Sequence, residues 1–227
     1  MKKASKFFST SQQATVIDAV RNAEENSAGE IVPVIATSSG RYDRAEDIFG
    51  LLCGLLTLSA GWLFCPAFHP PLDWESAGAL QSVNGLLPAI VAVVAGFLIG
   101  SILATRFPVL RLPFIPAAEM EAEVGRAAHA AFAKHRIHRT DGATGILLYV
   151  SLYEHRVVIL PDDGIGAAAD HQVWEQVRDK LLAGIRAGKP EEGFVEAIAV
   201  CGEILSAHCP RKEDDKNELS NEIVFVD

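Results

Sequence analysis

Two stretches in the middle of the chain carry no charge, and on either side of them the apolar positions fall into helical and strand-like periods. Ser9 and Gln12 satisfy a capping-box pattern. Val16, Ile17, Val20 and Ala23 then recur at helical spacing, which predicts an amphipathic helix from about Thr10 to Glu25. Asn26, Ser27 and Gly29 stop it. The next run, Glu30 to Ala36, is apolar and β-rich, and Pro33 within it has no amide to donate, so an edge strand or a bulge is expected. After a turn at Ser38, Ser39 and Gly40, residues Asp43 to Asp47 begin a helix that runs into the first uncharged stretch.

Beyond the second stretch, Pro113 and Pro116 mark a break, and Met120, Val124, Ala127, Ala131 and Phe132 predict a helix ending near His135. Gly145 to Leu152 is nearly all apolar, as an interior strand is. Tyr153 and Glu154 turn the chain into His155 to Leu160, giving a β-hairpin, and Pro161 to Gly166 reads as a loop. Val173, Val177, Leu181 and Ile185 share one face of a helix that Gly188 ends. Pro190 opens the last helix, with Phe194, Ala197, Ile198, Cys201 and Leu205 as its core stripe. From Pro210 the chain is charged and reads as a mobile tail. The expected fold is α/β: a small sheet flanked by helices, interrupted by a two-helix transmembrane hairpin. Residues 1–46 and 112–209 form two parts of one domain, 47–111 hold the hairpin, and 210–227 are the tail.

The uncharged stretches are Ile48 to Phe68 and Val83 to Thr105. Each has the roughly 20 residues that crossing a hydrocarbon core requires, and Pro88 is tolerable in such a helix. The loop between them, His69 to Ser82, has no Lys or Arg but carries Asp73 and Glu75, whereas Arg41, Arg44, Arg106 and Arg111 flank the pair. The positive-inside rule then puts both termini in the cytoplasm. Trp62 and Trp74 fall towards the outer interface, and Gly96 and Gly100 form a small-residue pair for helix packing. Neither stretch has an ionisable side chain that would mark a transport or proton path.

Composition agrees: 49% of residues are hydrophobic, and mean hydropathy is +0.21. The formal net charge of −9, to which the run Glu213, Asp214, Asp215 contributes, argues against nucleic acid as a partner. Cys53, Cys65, Cys201 and Cys209 form no CxxC pair, so neither a zinc site nor a redox motif is indicated.

Asp162 and Asp163 follow a strand and precede a helix beside Gly164 and Gly166, where two carboxylates could hold a hard cation, Ca2+ or Mg2+. The competing reading is a polar turn favoured by Asp geometry. Glu30 could add a third carboxylate if its strand end lies beside that loop, and Asp141 is a weaker candidate. Phosphate-ester hydrolysis would also need positive charge, which Arg139 and Arg156 could supply. His129, His135 and His138 lack an HExxH pattern and read as solvated. Ser151 has no GxSxG context, and Trp174 reads as packing.

The helix and strand Gln13 to Ala36, the hairpin Gly145 to Gly166 and the helix pair Val173 to Leu205 together resemble the TPM domain family. The tail Pro210 to Leu219 is similar to a bacterial membrane-bound subgroup of it. The resemblance implies a sheet flanked by helices, acid-phosphatase activity in some members and divalent-cation binding. Here the spans lie inside the domain rather than after it. Two functions follow as expectations. The first is a cytoplasmic accessory or cation-binding adaptor for a membrane-protein partner, held in the lipid bilayer of a bacterial inner membrane. The second is a membrane-tethered, divalent-metal-dependent phosphatase.

Overall fold

A computed structural model describes residues 3–65, 68, 79–211 and 217–227. The expected interhelical loop with Asp73, Trp74 and Glu75, and the acidic run at 213–215, lie outside the described residues. The chain divides into two units: residues 1–40 with 118–227, and residues 41–117.

The first unit opens with a short 3-10 turn, Ala4–Lys6, and helix α1, Thr10–Glu24. Ser9 and Gln12 cap α1 reciprocally, as the sequence predicts. Strand β1 is Glu30–Ala36, β2 is Gly145–Ser151, β3 is Arg156–Pro161 and β4 is Val224–Val226. The sheet order is β3-β2-β1-β4, with β1 parallel to β2 and β4 and β3 antiparallel to β2. Side chains alternate across the sheet. Ile31, Ile35, Ile146, Leu148, Val150 and Val157 pack against α1, α6 (His171–Arg186) and α7 (Pro190–His208). Val32, Val34, Ala36, Leu147 and Tyr149 pack against α4 (Ala117–Lys134). The sheet is therefore buried on both faces, which is why β1 and β2 read as unbroken apolar runs. Gly188, at φ +73°, ends α6 as predicted.

Three features differ from the sequence reading. The segment after Pro210 is not tail throughout, because Val224–Val226 form β4 and Ile223 is buried. Its last residue, Asp227, accepts hydrogen bonds from the Ser5 amide at 3.1 Å, the Ser5 hydroxyl at 2.7 Å and the Thr37 hydroxyl at 3.0 Å. Second, β1 is an interior strand rather than an edge, although Pro33 still has an edge-like reason. The Thr37 amide bonds to Val226 of β4, so by alternation the amides of Ile35 and Ile31, and the place where Pro33 lacks one, face the same side. Strand β4 pairs only from Val34 onward, and the Ile31 amide is capped instead by the Glu24 carboxylate at 2.8 Å. Pro33 thus sits where no ladder partner asks for a donor. Third, the expected loop at Pro161 to Gly166 is the end of β3 followed by one helical turn, α5 (Asp163–Gly166).

The second unit contains α2 (Asp43–Phe64), α3 (Ala79–Arg106) and a 3-10 segment, Pro108–Phe114. Both long helices are apolar enough to cross a membrane, and only 11% of each one's most apolar window is buried. Leu52, Leu55, Leu56, Val91, Leu98 and Ile102 are exposed, as lipid-facing side chains would be. The helices meet through small residues. A Cβ on Gly100 would lie 3.0 Å from the Gly50 Cα, and one on Gly96 would lie 2.2 Å from Thr57 Oγ1 and 2.9 Å from the Cys53 carbonyl. The Thr57 hydroxyl reaches the Ala92 carbonyl of the facing helix at 2.8 Å. At the base of the pair, Arg111 bonds to the Glu46 carboxylate and, at 3.1 Å, to the Arg41 carbonyl. The Thr105 hydroxyl donates to Glu46 at 3.0 Å. Gly96→Leu is expected to destabilise this pair by about 1–3 kcal/mol through overpacking. Unfolding of the purified chain by graded SDS should begin at a lower SDS fraction. Gly85→Leu, where a Cβ meets nothing closer than 3.8 Å, should leave the transition in place, and equal shifts for the two would refute the packing role.

Candidate functional site

The edge of the sheet formed by the start of β1 and β2 and the end of β3 carries the predicted acids. Asp162 is only 8% exposed and caps α5, its Oδ1 accepting the Asp163 amide at 2.9 Å. Its Oδ2 is buried and has no hydrogen-bond partner. Asp163 is exposed. Glu30 is buried and accepts the Glu218 amide at 2.8 Å. The register places Glu30 opposite Gly145, and the Asp162 amide bonds to the Gly145 carbonyl on its other side. Glu30 and Asp162 therefore share an edge but stand one strand apart, roughly 10 Å by strand spacing. Because β3 runs antiparallel, this edge is the amino end of the parallel pair, not the carboxyl end at which α/β sheets usually bind ligands. Among the described residues no group of three or more His, Cys, Asp or Glu side chains could hold a metal ion. A single buried carboxylate oxygen does not fit the six to eight oxygen ligands, by rough count, that Ca2+ takes.

The other candidates also stay apart. Arg156 begins β3, at the opposite end from Asp162, and pairs with Glu121 at 3.7 Å. Arg139 is exposed on a 3-10 turn. His138 stacks on Phe132, and burial, then the Lys134 charge, lowers the His135 pKa. Cys201 is fully buried, which pushes its thiol up to about 12, so it is inert as a nucleophile.

Two carboxylates missed by the sequence reading, one buried and one half-buried, hold backbone instead. Glu154 is 6% exposed, and its Oε1 accepts the Ser39 amide at 2.9 Å, the Gly40 amide at 3.1 Å and the Ser38 hydroxyl at 3.2 Å. The Ser151 hydroxyl donates to Oε2. Ser39 Oγ lies 2.7 Å from Ser151 Oγ and 3.0 Å from the Tyr149 hydroxyl, whose pKa burial raises. Ser151 is thus part of a clamp on the chain leaving β1. At the other edge Glu24 accepts from the Ile31 amide and, through Oε2, from Asn221. Burial, with help from the Glu30 charge, lifts its carboxyl from 4.5 to about 8.

A groove of about 760 Å³ runs along the outer edge of β3, with α6 and part of α4 as its walls. Antiparallel pairing fixes what β3 shows it. The bond from the Asp162 amide to Gly145 makes Gly145–Asp162 a hydrogen-bonded pair, so alternation turns Arg156, Val158 and Leu160 towards β2. The amides and carbonyls of Val157 and Ile159 then point outward, and Pro161 closes the row without a donor. On the α6 wall, Trp174 is 8% exposed, and its indole Nε1 is buried without an acceptor. Leaving such a donor unmade costs about 1–3 kcal/mol. Trp174 packs in the hydrophobic core, as the sequence predicts, and borders the groove as well.

Residues 115–204 match the family model described as the TPM domain. Over these residues the chain is similar to TPM-domain proteins. The matched segment takes in α4, the β2–β3 hairpin and the groove residues of α6. The NMR structure of the BA42 protein from the psychrophilic bacterium Bizionia argentinensis is similar in fold, with a TM-score of 0.56 at 19% identity, covering 99% of each chain. No curated protein matches the chain.

Proposed function

We propose that the chain is a membrane-tethered adaptor whose TPM domain docks a membrane-protein partner. The observation that carries this is the groove beside β3, where the outward edge of the strand and Trp174 line one surface. The carboxylates of buried Glu154 and Glu30 and half-buried Glu24, by contrast, are engaged with the domain's own backbone. The two apolar helices supply the tether. Arg41, Arg44, Arg106 and Arg111 at their flanks support cytoplasmic termini in a bacterial inner membrane. Cross-linking in native membranes should yield a discrete species heavier than the monomer, and recovery of monomer alone would remove the adaptor reading.

A second reading, the divalent-metal-dependent phosphatase, draws on the buried, unpartnered Oδ2 of Asp162. Calorimetric titration of the full chain with calcium chloride and with magnesium chloride separates the two. We expect no uptake at one site per chain and no hydrolysis of p-nitrophenyl phosphate. Both appearing, and both lost in Asp162→Asn, would replace the adaptor by the enzyme.

A further inference from the structure

We infer that the β3 groove takes an extended peptide segment of the partner, added to the sheet as a strand and carrying an acidic side chain for Arg186. This rests on the adaptor reading and names its contact site. Strand addition follows from the floor of the groove. Val157 and Ile159 turn their amides and carbonyls away from β2, spaced two residues apart, which is the repeat an added strand would match. Donors and acceptors alternate along it, since Val157 and Ile159 each offer an amide and a carbonyl, and Pro161 offers a carbonyl alone. An extended backbone, which alternates the same two groups, answers that set.

The acidic side chain follows from charge. Arg156 is paired with Glu121, and Arg178 with Asp179 at 3.0 Å. Arg186 lines the same groove, is exposed, and has no carboxylate within ion-pair distance among the described residues. On a chain of net charge −9 this surface has an unanswered cation. The chain's own last strand is no rival for the site, since Val224–Val226 pair with β1 at the opposite side of the sheet.

The probe is a fluorescein-labelled ten-residue peptide of alternating valine and threonine with one central aspartate. It is added to the 15N-labelled full chain in nanodiscs, with empty nanodiscs as the blank. The amide signals of Val157 and Ile159 and the Trp174 indole signal should shift together. Arg186→Glu should weaken binding at least fivefold, as should lysine for aspartate in the peptide, and the two changes combined should recover most of the loss. Trp174→Phe should weaken it about threefold. Arg186 is exposed, so its substitution leaves the fold intact. Unchanged affinity in Arg186→Glu, or shifts confined to other residues, would overturn the proposal. Broadening of the β3 amides with protein concentration and no peptide effect would also overturn it, giving the edge to a second copy of this chain. A cross-linked complex in native membranes that survives Arg186→Glu would reject the groove and keep the adaptor.

Discussion

Glu154→Ala is expected to lower the stability of the sheet-bearing unit by about 3–5 kcal/mol, the cost of breaking a buried charged hydrogen-bond set. The buried carboxylate accepts two amides and two hydroxyls, the amides from a half-buried turn. Alanine would strand the Ser39 and Gly40 amides and leave the Ser151 hydroxyl without its strongest acceptor. For a unit of this size the midpoint of thermal unfolding should fall by roughly 10 °C. Far-ultraviolet circular dichroism of the purified chain, read below the transition of the apolar helices, measures it. Glu154→Gln keeps an acceptor for the amides but turns an NH2 group into the set, and should cost about half as much. Ser39→Ala removes one hydroxyl and should cost about 1 kcal/mol. A midpoint in Glu154→Ala within about 2 °C of the parent would show that the clamp contributes little to folding.

The second large effect is a dependence on pH that resides in Glu24. Its folded-state pKa of about 8 stands above the ordinary 4.5, chiefly because burial disfavours the charge. The folded chain thus holds this proton more tightly than the unfolded chain does. The associated stability is fully present below about pH 4.5 and is lost progressively as pH rises through about 8. The loss should be on the order of a few kcal/mol. Glu24→Gln keeps an oxygen for the Ile31 amide and cannot ionise, so it should flatten the slope and be the more stable chain at pH 9. Urea unfolding at pH 6, 7.5 and 9 decides this. An unaltered slope in Glu24→Gln would assign the titration to another group.

What could be read in advance was whatever local order encodes. Apolar period and capping placed α1, α6, α7 and the β2–β3 hairpin, and the absence of charge placed α2 and α3. What could not be read depends on partners far away in the chain. Strand β4 has three residues and no flanking turn signal, and it pairs only because β1 offers an edge there. Pro33 argued for an edge, and only the arrival of β4 beyond Val34 makes β1 interior. Glu154 looked like half of a tight turn, because its donors at residues 38–40 come from the other side of the hairpin insertion. The acids at 30, 162 and 163 shared a plausible chemistry, yet strand direction and register set Glu30 and Asp162 one strand apart. Arg186 and Trp174 carried no motif at all, and only the position of β3 at the sheet's outer edge gives them a common surface.

The central place of β1 also sets an order for synthesis. β1 leaves the ribosome before either neighbour exists. Both apolar helices emerge next, β2 follows at Gly145, and β4 comes later still, at Val224. A seven-residue apolar strand must therefore wait, unpaired, while the two apolar helices are made. Completion of the sheet is in this sense a late checkpoint. A ribosome stalled before Val224 would present both apolar helices with an unfinished sheet, a species whose unpaired strand edge is open to proteases and aggregation.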